Sequence, residues 1–148
     1  MASAKRAFRQ AAATETSLPD VARDMDAYLT PFLGDADFAT ALLVDVSFRG
    51  RATFLACGHP PPMLIRPDGT AVLLTVPPGL PLGLGAGGEP VTFPWRAGDR
   101  VLLYTDGLSE ARDERGRFLP LLELAPTLSA SQPDVACLLY TSDAADEL

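Results

Sequence analysis

Val101, Leu102, Leu103 and Tyr104 run without a break into Thr105-Asp106-Gly107. Gly98-Asp99 just before them is a turn signal that opens a strand. A continuous apolar run closed by glycine reads as a strand buried on both faces. Such a strand admits few folds, because it needs cover on either side. It also ends on a carboxylate at the point where the chain turns. An acid at the lip of a buried strand is badly solvated unless something compensates it. Two compensators stay open from the residues alone. A hard cation takes carboxylate oxygens, and an aspartate can equally cap its own turn by bonding nearby backbone.

The remaining segments define a class around that strand. Ala2–Ala13 is rich in Ala, Lys, Arg and Gln and reads as a helix. Ser17-Leu18-Pro19-Asp20 is a helix start, with Ser17 as cap, proline in the first turn and Asp20 near the positive end of the dipole. Val21, Met25, Tyr28, Leu29 and Phe32 follow at helical spacing, and Pro31 ends or kinks the helix. From Phe38 the period changes. Ala39–Val46 reads as a strand, Phe48–Arg51 as a hairpin loop and Ala52–Cys57 as the return strand. Met63–Ile65 and Val72–Leu74 flank the turn Arg66-Pro67-Asp68-Gly69. Pro77–Pro90, dense in Pro and Gly, reads as a surface crossover. Val91–Trp95 and Arg100–Tyr104 are expected to pair as a hairpin around Ala97-Gly98, with Pro94 marking an edge strand. Ser109–Arg117 is a polar loop, and Leu119–Leu128 is weakly helical. Two helices, five or six strands in hairpins and a last helix make an α+β fold with a mostly antiparallel sheet.

The chain has 148 residues and just under half of them are apolar, which suits one globular domain. Its formal net charge of −7 argues against nucleic acid as a partner, since that needs a basic face. No apolar run approaches the roughly 18 residues of a membrane span, and the N-terminus lacks an apolar signal core. The reading is a cytoplasmic protein with no membrane partner. Cys57 and Cys137 make neither a CxxC nor a zinc spacing, and Cys57 reads as a buried small residue.

Pro78–Gly85 is glycine-rich but has no GK[ST] ending and no strand–loop–helix context, so it is not a phosphate cradle. Its leucines are expected to pin the crossover to the core. His59 is the only histidine. Alone it builds no zinc site and no triad, and Pro60–Pro62 hold the chain extended after it, so it reads as a turn histidine. Asp45 is out of phase with Val44 and Val46 and belongs on a solvated face. Ser109, Glu110, Arg112, Asp113 and Glu114 line whatever cleft Asp106 opens on, or keep a loop wet.

Taken together and in order, three pieces resemble a known family. They are Gly58-His59-Pro60-Pro61-Pro62, then Pro81-Leu82-Gly83-Leu84-Gly85, then AGDRVLLYTDGLSEARDERGRF from Ala97 to Phe118. They resemble the C-terminal half of a SpoIIE-type PPM (PP2C-like) serine/threonine phosphatase domain. The stretch FATALLVDVSFRGRATFLACGH, Phe38 to His59, resembles it too. The likeness runs from about Phe8 to Leu122. It implies a PP2C-like α-β-β-α sandwich, here incomplete, and a binuclear Mn²⁺ or Mg²⁺ centre. It implies Asp106 as a metal ligand, with Thr105, Gly107 and His59 as cleft-lining candidates. The implied substrate is a phosphoserine or phosphothreonine on a regulatory protein of the anti-sigma-factor antagonist type. Two carboxylate-held metals lower the pKa of a bridging water and clamp phosphate oxygens, so no side-chain nucleophile is needed.

The family's first metal aspartates precede the helix that opens this chain. Its last ligand lies in a C-terminal strand that Asp134-Val135-Ala136 imitates, though too soon after Phe118; Asp134 is a secondary candidate ligand. Cys137–Leu148, CLLYTSDAADEL, looks like a translated sequencing-library adapter. The expected division is therefore a partial phosphatase domain over residues 1–136 and a non-native tail over 137–148. With one carboxylate in hand, this chain is expected to be inactive or barely active. The alternatives are a non-catalytic PPM-like module that binds a regulatory partner, and an unrelated α+β ligand-binding domain.

Overall fold

The computed structural model describes residues 2–15, 17–34, 37–47, 49–113, 115–118 and 120–124. The elements in chain order are α1 (Ala2–Thr14), α2 (Leu18–Leu29), β1 (Ala41–Ser47), β2 (Arg51–Cys57), β3 (Met63–Ile65), β4 (Ala71–Leu73), β5 (Val91–Pro94), β6 (Arg100–Leu102) and α3 (Asp106–Ser109). Two compact units result. One comprises Met1–His59 with Thr75–Arg96, and the other Pro60–Leu74 with the chain from Ala97 onward.

In the first unit, α2 begins as its sequence requires. The Ser17 hydroxyl oxygen accepts the Asp20 N–H at 3.3 Å, and proline occupies the first turn. The helix ends at Leu29, and Thr30–Phe32 tighten into a 3₁₀ turn around Pro31. The sheet runs β1-β2-β5, all antiparallel, with Ala41 opposite Cys57, Ser47 opposite Arg51 and Phe54 opposite Val91. Alternation along the strands sorts the side chains. Leu43, Leu55 and Cys57 share one face and join Ala7, Ala11, Val21, Ala22, Met25, Leu29 and Leu82 in a single core. Leu55 is fully enclosed there, a burial that contributes about 1.5–3 kcal/mol. Farther along the same face, Asp45 is exposed and the Thr53 and Thr92 hydroxyls bond each other at 2.8 Å. Leu42, Val44, Val46, Ala52, Phe54, Val91 and Phe93 point the other way. The Phe54 and Phe93 rings meet edge-on there, 5.9 Å between centroids.

The crossover Pro77–Pro90 has no strand of its own, yet it is tied down. Leu82 and Ala39 exchange two backbone hydrogen bonds of 2.9 Å, and the Leu82 side chain is buried in the core. Leu80 and Leu84 are exposed, so only one of the three leucines pins the segment.

The second unit holds a sheet in the order β4-β3-β6. Met63 lies between Leu73 and Leu102, and Ile65 between Ala71 and Arg100. Met63, Ile65, Leu102 and Tyr104 form its core, with Ala71, Leu108 and Leu121 packed against them. Arg66 and Asp99 make an ion pair in which the carboxylate side chain is wholly buried.

The expected hairpin between Val91–Trp95 and Arg100–Tyr104 does not form. β5 pairs with β2 and β6 pairs with β3, in separate sheets. The wholly apolar triplet Met63-Leu64-Ile65 needs a strand on each side, and the Arg66–Asp99 pair anchors the start of β6 beside it. After β5, Trp95 donates its N–H to Gly50 at 2.8 Å, which carries the chain along the β1–β2 turn instead of back on itself. The expected helix over Leu119–Leu128 is described only as a 3₁₀ turn at Leu121–Leu124. The rest of it lies outside the described residues.

Candidate functional site

The strand that leads to the candidate acid is not buried on both faces, contrary to the reading of its apolar run. β6 ends at Leu102, and burial then alternates: Leu102 in, Leu103 out at 49% exposure, Tyr104 in. β6 lies at one side of the order β4-β3-β6, and β3 is the strand enclosed throughout. A strand of that kind needs apolar residues on one face only, and Leu103 is the surplus. Burial in the Met63–Ile65–Leu102 cluster pushes the Tyr104 hydroxyl above its ordinary pKa.

Tyr104 anchors the exit of the strand, and Thr105 is extended, with φ −92° and ψ 170°. The chain then winds into α3, a helix of 4 residues that begins at Asp106. Leu108 secures the helix by packing on the same core, and its N–H donates to the Thr105 carbonyl at 3.1 Å. Asp106 is exposed. One carboxylate oxygen, Oδ1, accepts the N–H of Gly107 at 3.0 Å. Its carbonyl accepts the Glu110 N–H at 2.7 Å and the Ser109 hydroxyl at 3.1 Å. The carboxylate thus bonds its own backbone, as one of the two sequence readings expects, and it remains exposed to solvent.

Thr105, Asp106 and Gly107 come together at the head of α3 in the second unit. His59 closes a segment of the first unit, half-buried beside Gly58. Asp134 and the expected tail 137–148 lie outside the described residues. Among the described residues, no group of three His, Cys, Asp or Glu side chains is placed to hold a metal ion. The donor type at Asp106 suits Mn²⁺ or Mg²⁺, but one carboxylate does not make a binuclear centre.

Sequence reading missed the order in the polar loop that follows. Asp113 organises it. Its Oδ1 accepts the N–H groups of Arg115 and Arg117, each at 2.9 Å, and its Oδ2 accepts Arg117 Nε at 2.8 Å and pairs with Nη2 at 2.7 Å. These bonds hold the Asp113 carboxyl below the ordinary aspartate range. Gly116 returns its N–H to the Asp113 carbonyl at 2.8 Å, with the positive φ of 77° that glycine adopts freely. The turn sets Arg112 opposite Phe118, with the guanidinium 3.8 Å above the ring. The signal was present as Asp113-x-x-Gly116, an aspartate three residues before a glycine.

Comparison with known proteins agrees with this architecture. A sequence profile of the family described as Stage II sporulation protein E (SpoIIE) matches residues 1–146. The chain belongs to the SpoIIE family. Among solved structures it is similar to the RsbU and RsbW domains of Rv1364c from Mycobacterium tuberculosis, with a TM-score of 0.72 and 27% identity, covering 92% of this chain and 38% of that one. It is also similar to the PP2C phosphatase domain, with a fragment of the regulatory domain, of the cell fate determinant SpoIIE from Bacillus subtilis. There the TM-score is 0.70 and the identity 15%, covering 94% of this chain and 42% of that one. A manganese-presoaked phosphatase domain of the same Bacillus protein matches with a TM-score of 0.52 and 14% identity, covering 94% of this chain and 63% of that one. The α+β fold is thus PP2C-like. The chain spans about two fifths of the first two structures. Among the described residues no helix is long and apolar enough to cross a membrane.

Proposed function

We propose that this chain is part of a metal-dependent phosphoprotein phosphatase that hydrolyses phosphoserine or phosphothreonine on a regulatory protein of the anti-sigma-factor antagonist type, in the cytoplasm. The observation that carries the reading is Asp106: an exposed carboxylate at the head of α3, held there by Tyr104 and Leu108, in a chain of the SpoIIE family. In this reading Asp106 gives one oxygen ligand to a Mn²⁺ or Mg²⁺ pair, with Thr105 and Gly107 beside it at the head of α3. When bound, the metal pair supplies charge neutralisation on the phosphate and the activated water. The chain's own contribution is to fix the Asp106 backbone: bonds from Glu110 and Ser109 onto its carbonyl hold the residue in place while the carboxylate faces outward. In this reading the chain by itself has little or no activity, since among its described residues no three His, Cys, Asp or Glu side chains are placed to hold a metal ion.

That same scarcity of ligands favours a second reading, a non-catalytic PP2C-like module that binds a regulatory partner. Manganese-dependent hydrolysis of p-nitrophenyl phosphate separates the two. The assay compares this chain with a polypeptide extended upstream to the length of the related phosphatase domains. The first reading requires turnover by the extended protein, its loss in Asp106→Ala, and none above background by the chain alone. No turnover by the extended protein at any manganese concentration refutes it and leaves the module.

A further inference from the structure

The loop after α3 builds a cavity that the Asp106 chemistry does not use. It has a volume of about 440 Å³ and is lined by Ala111, Arg112, Asp113, Arg117, Phe118, Pro120 and Glu123. That is too large for a metal ion or a single phosphate and suits a few amino-acid side chains. Its two cations are in different states. Arg117 is neutralised, since its guanidinium is bound to the Asp113 carboxylate. Arg112 lies over the Phe118 ring and gives Nη1–H to the Gly116 carbonyl at 3.0 Å. Among the described residues no carboxylate stands within ion-pair distance of Arg112. A guanidinium carries five N–H donors in its plane. Stacking on an aromatic face fixes that plane and leaves its edge to a planar, two-oxygen acceptor. The Asp113 bonds organise the loop before anything binds, which lowers the ordering cost of binding. Glu123 lines the same cavity, so its charge is mixed and its place for an anion is a single carboxylate at Arg112.

We propose that this cavity is a docking groove for an acidic segment of a protein substrate, in which Arg112 receives the carboxylate of an aspartate or glutamate flanking the phosphorylated residue. Arg112 is then a specificity-determining residue. The assignment rests on the phosphatase reading for the identity of the partner, whereas the groove itself exists without metal.

The test is an array of immobilised phosphoserine peptides, each flanking position carrying Glu, Gln or Lys in turn, probed with the whole chain in the absence of divalent cations. The phosphate is common to every spot, so only the flanks differ. The chain should retain glutamate-flanked peptides about 1.5-fold to fivefold better than their glutamine counterparts, the range of an exposed guanidinium–carboxylate contact. Arg112→Gln should abolish that preference and Arg115→Gln should keep it, although both remove one positive charge from the loop. Equal preference in the two variants, or none in the native chain, overturns the proposal. If Arg112→Gln loses every peptide alike, Arg112→Lys decides: a surviving acidic preference supports the groove, and its disappearance overturns it. Failure of the p-nitrophenyl phosphate assay does not touch this measurement, so the two readings fail separately.

Discussion

The Asp26 carboxylate accepts the backbone N–H of Gly83 at 2.6 Å, joining positions 57 residues apart. One lies in helix α2 and the other in the crossover between sheets. Gly83 has a φ of 96°, and a Cβ there would stand 2.5 Å from Leu33 Cδ1. The glycine conformation and the acid together bring the crossover onto the helix, with Leu82 buried next to the bond.

Removing the acceptor should therefore loosen the first unit. Asp26→Ala is expected to lower stability by about 2 kcal/mol, the scale of a half-buried hydrogen bond to a charged group. Asp26→Asn retains an acceptor oxygen and should lose less. Gly83→Ala should also destabilise, because it meets both an unfavourable φ and a side chain. Urea unfolding followed by circular dichroism reads all three, and equal midpoints for Asp26→Ala and the native chain would contradict the clasp.

Asp106 is expected to behave in the opposite way. Its side chain makes a local bond to Gly107 and is otherwise in solvent, so Asp106→Ala should shift the thermal midpoint little. On the proposed phosphatase reading, the same change in the extended polypeptide should reduce manganese-dependent turnover by about a hundredfold or more, because losing a metal ligand would remove several kcal/mol of charge stabilisation. Thermal melts and p-nitrophenyl phosphate kinetics on one preparation give both numbers.

The Arg66–Asp99 pair tests burial. The Asp99 side chain is wholly enclosed and that of Arg66 is 25% exposed. Arg66→Met takes the guanidinium away from a buried carboxylate and should destabilise by about 3 kcal/mol. Arg66→Met with Asp99→Leu replaces both charges and should recover much of that loss. A double variant no more stable than the single one would show that the pair is not what Asp99 relies on.

Asp113 gives a pH dependence of known sign. Its folded pKa lies below the ordinary 3.8, because the bonds it accepts favour the charged form. Its contribution to loop order is therefore complete above the ordinary value and lost as pH falls through the lower, folded one. The Arg112–Phe118 stack should be intact at neutral and mildly acidic pH and should open only below it. An NMR titration of the Asp113 carboxyl carbon should show its inflection below 3.8. An inflection above that value would contradict the bonding pattern.

Local chemistry made parts of this protein readable in advance. Ser17 and Pro19 announce the start of α2, Pro31 its end, and Arg66-Pro67-Asp68-Gly69 the turn between β3 and β4. Cys57 is buried and Asp45 exposed, as their neighbours imply. The partner of β6 was not readable. Val91–Pro94 and Arg100–Leu102 are adjacent in the chain and hairpin-like in spacing, but hydrogen bonds between strands carry no local mark of their partner. The Thr105-Asp106-Gly107 signature stands out in a short window, as does the Asp113-x-x-Gly116 turn, whereas the cavity that this turn leaves beside Arg112 is visible only in the structure.

By itself, the amino-acid sequence determined the element types, the α+β class, the SpoIIE family and the acid on which the chemistry is proposed to turn. These follow from periodicity, caps and short motifs, which act over a few residues. Only the tertiary structure decided which strands pair, that the run ending at Tyr104 is covered on one face, and that Asp26 holds a glycine far along the chain. Those outcomes depend on which distant groups meet when apolar surface is buried, and no short window of sequence contains both partners.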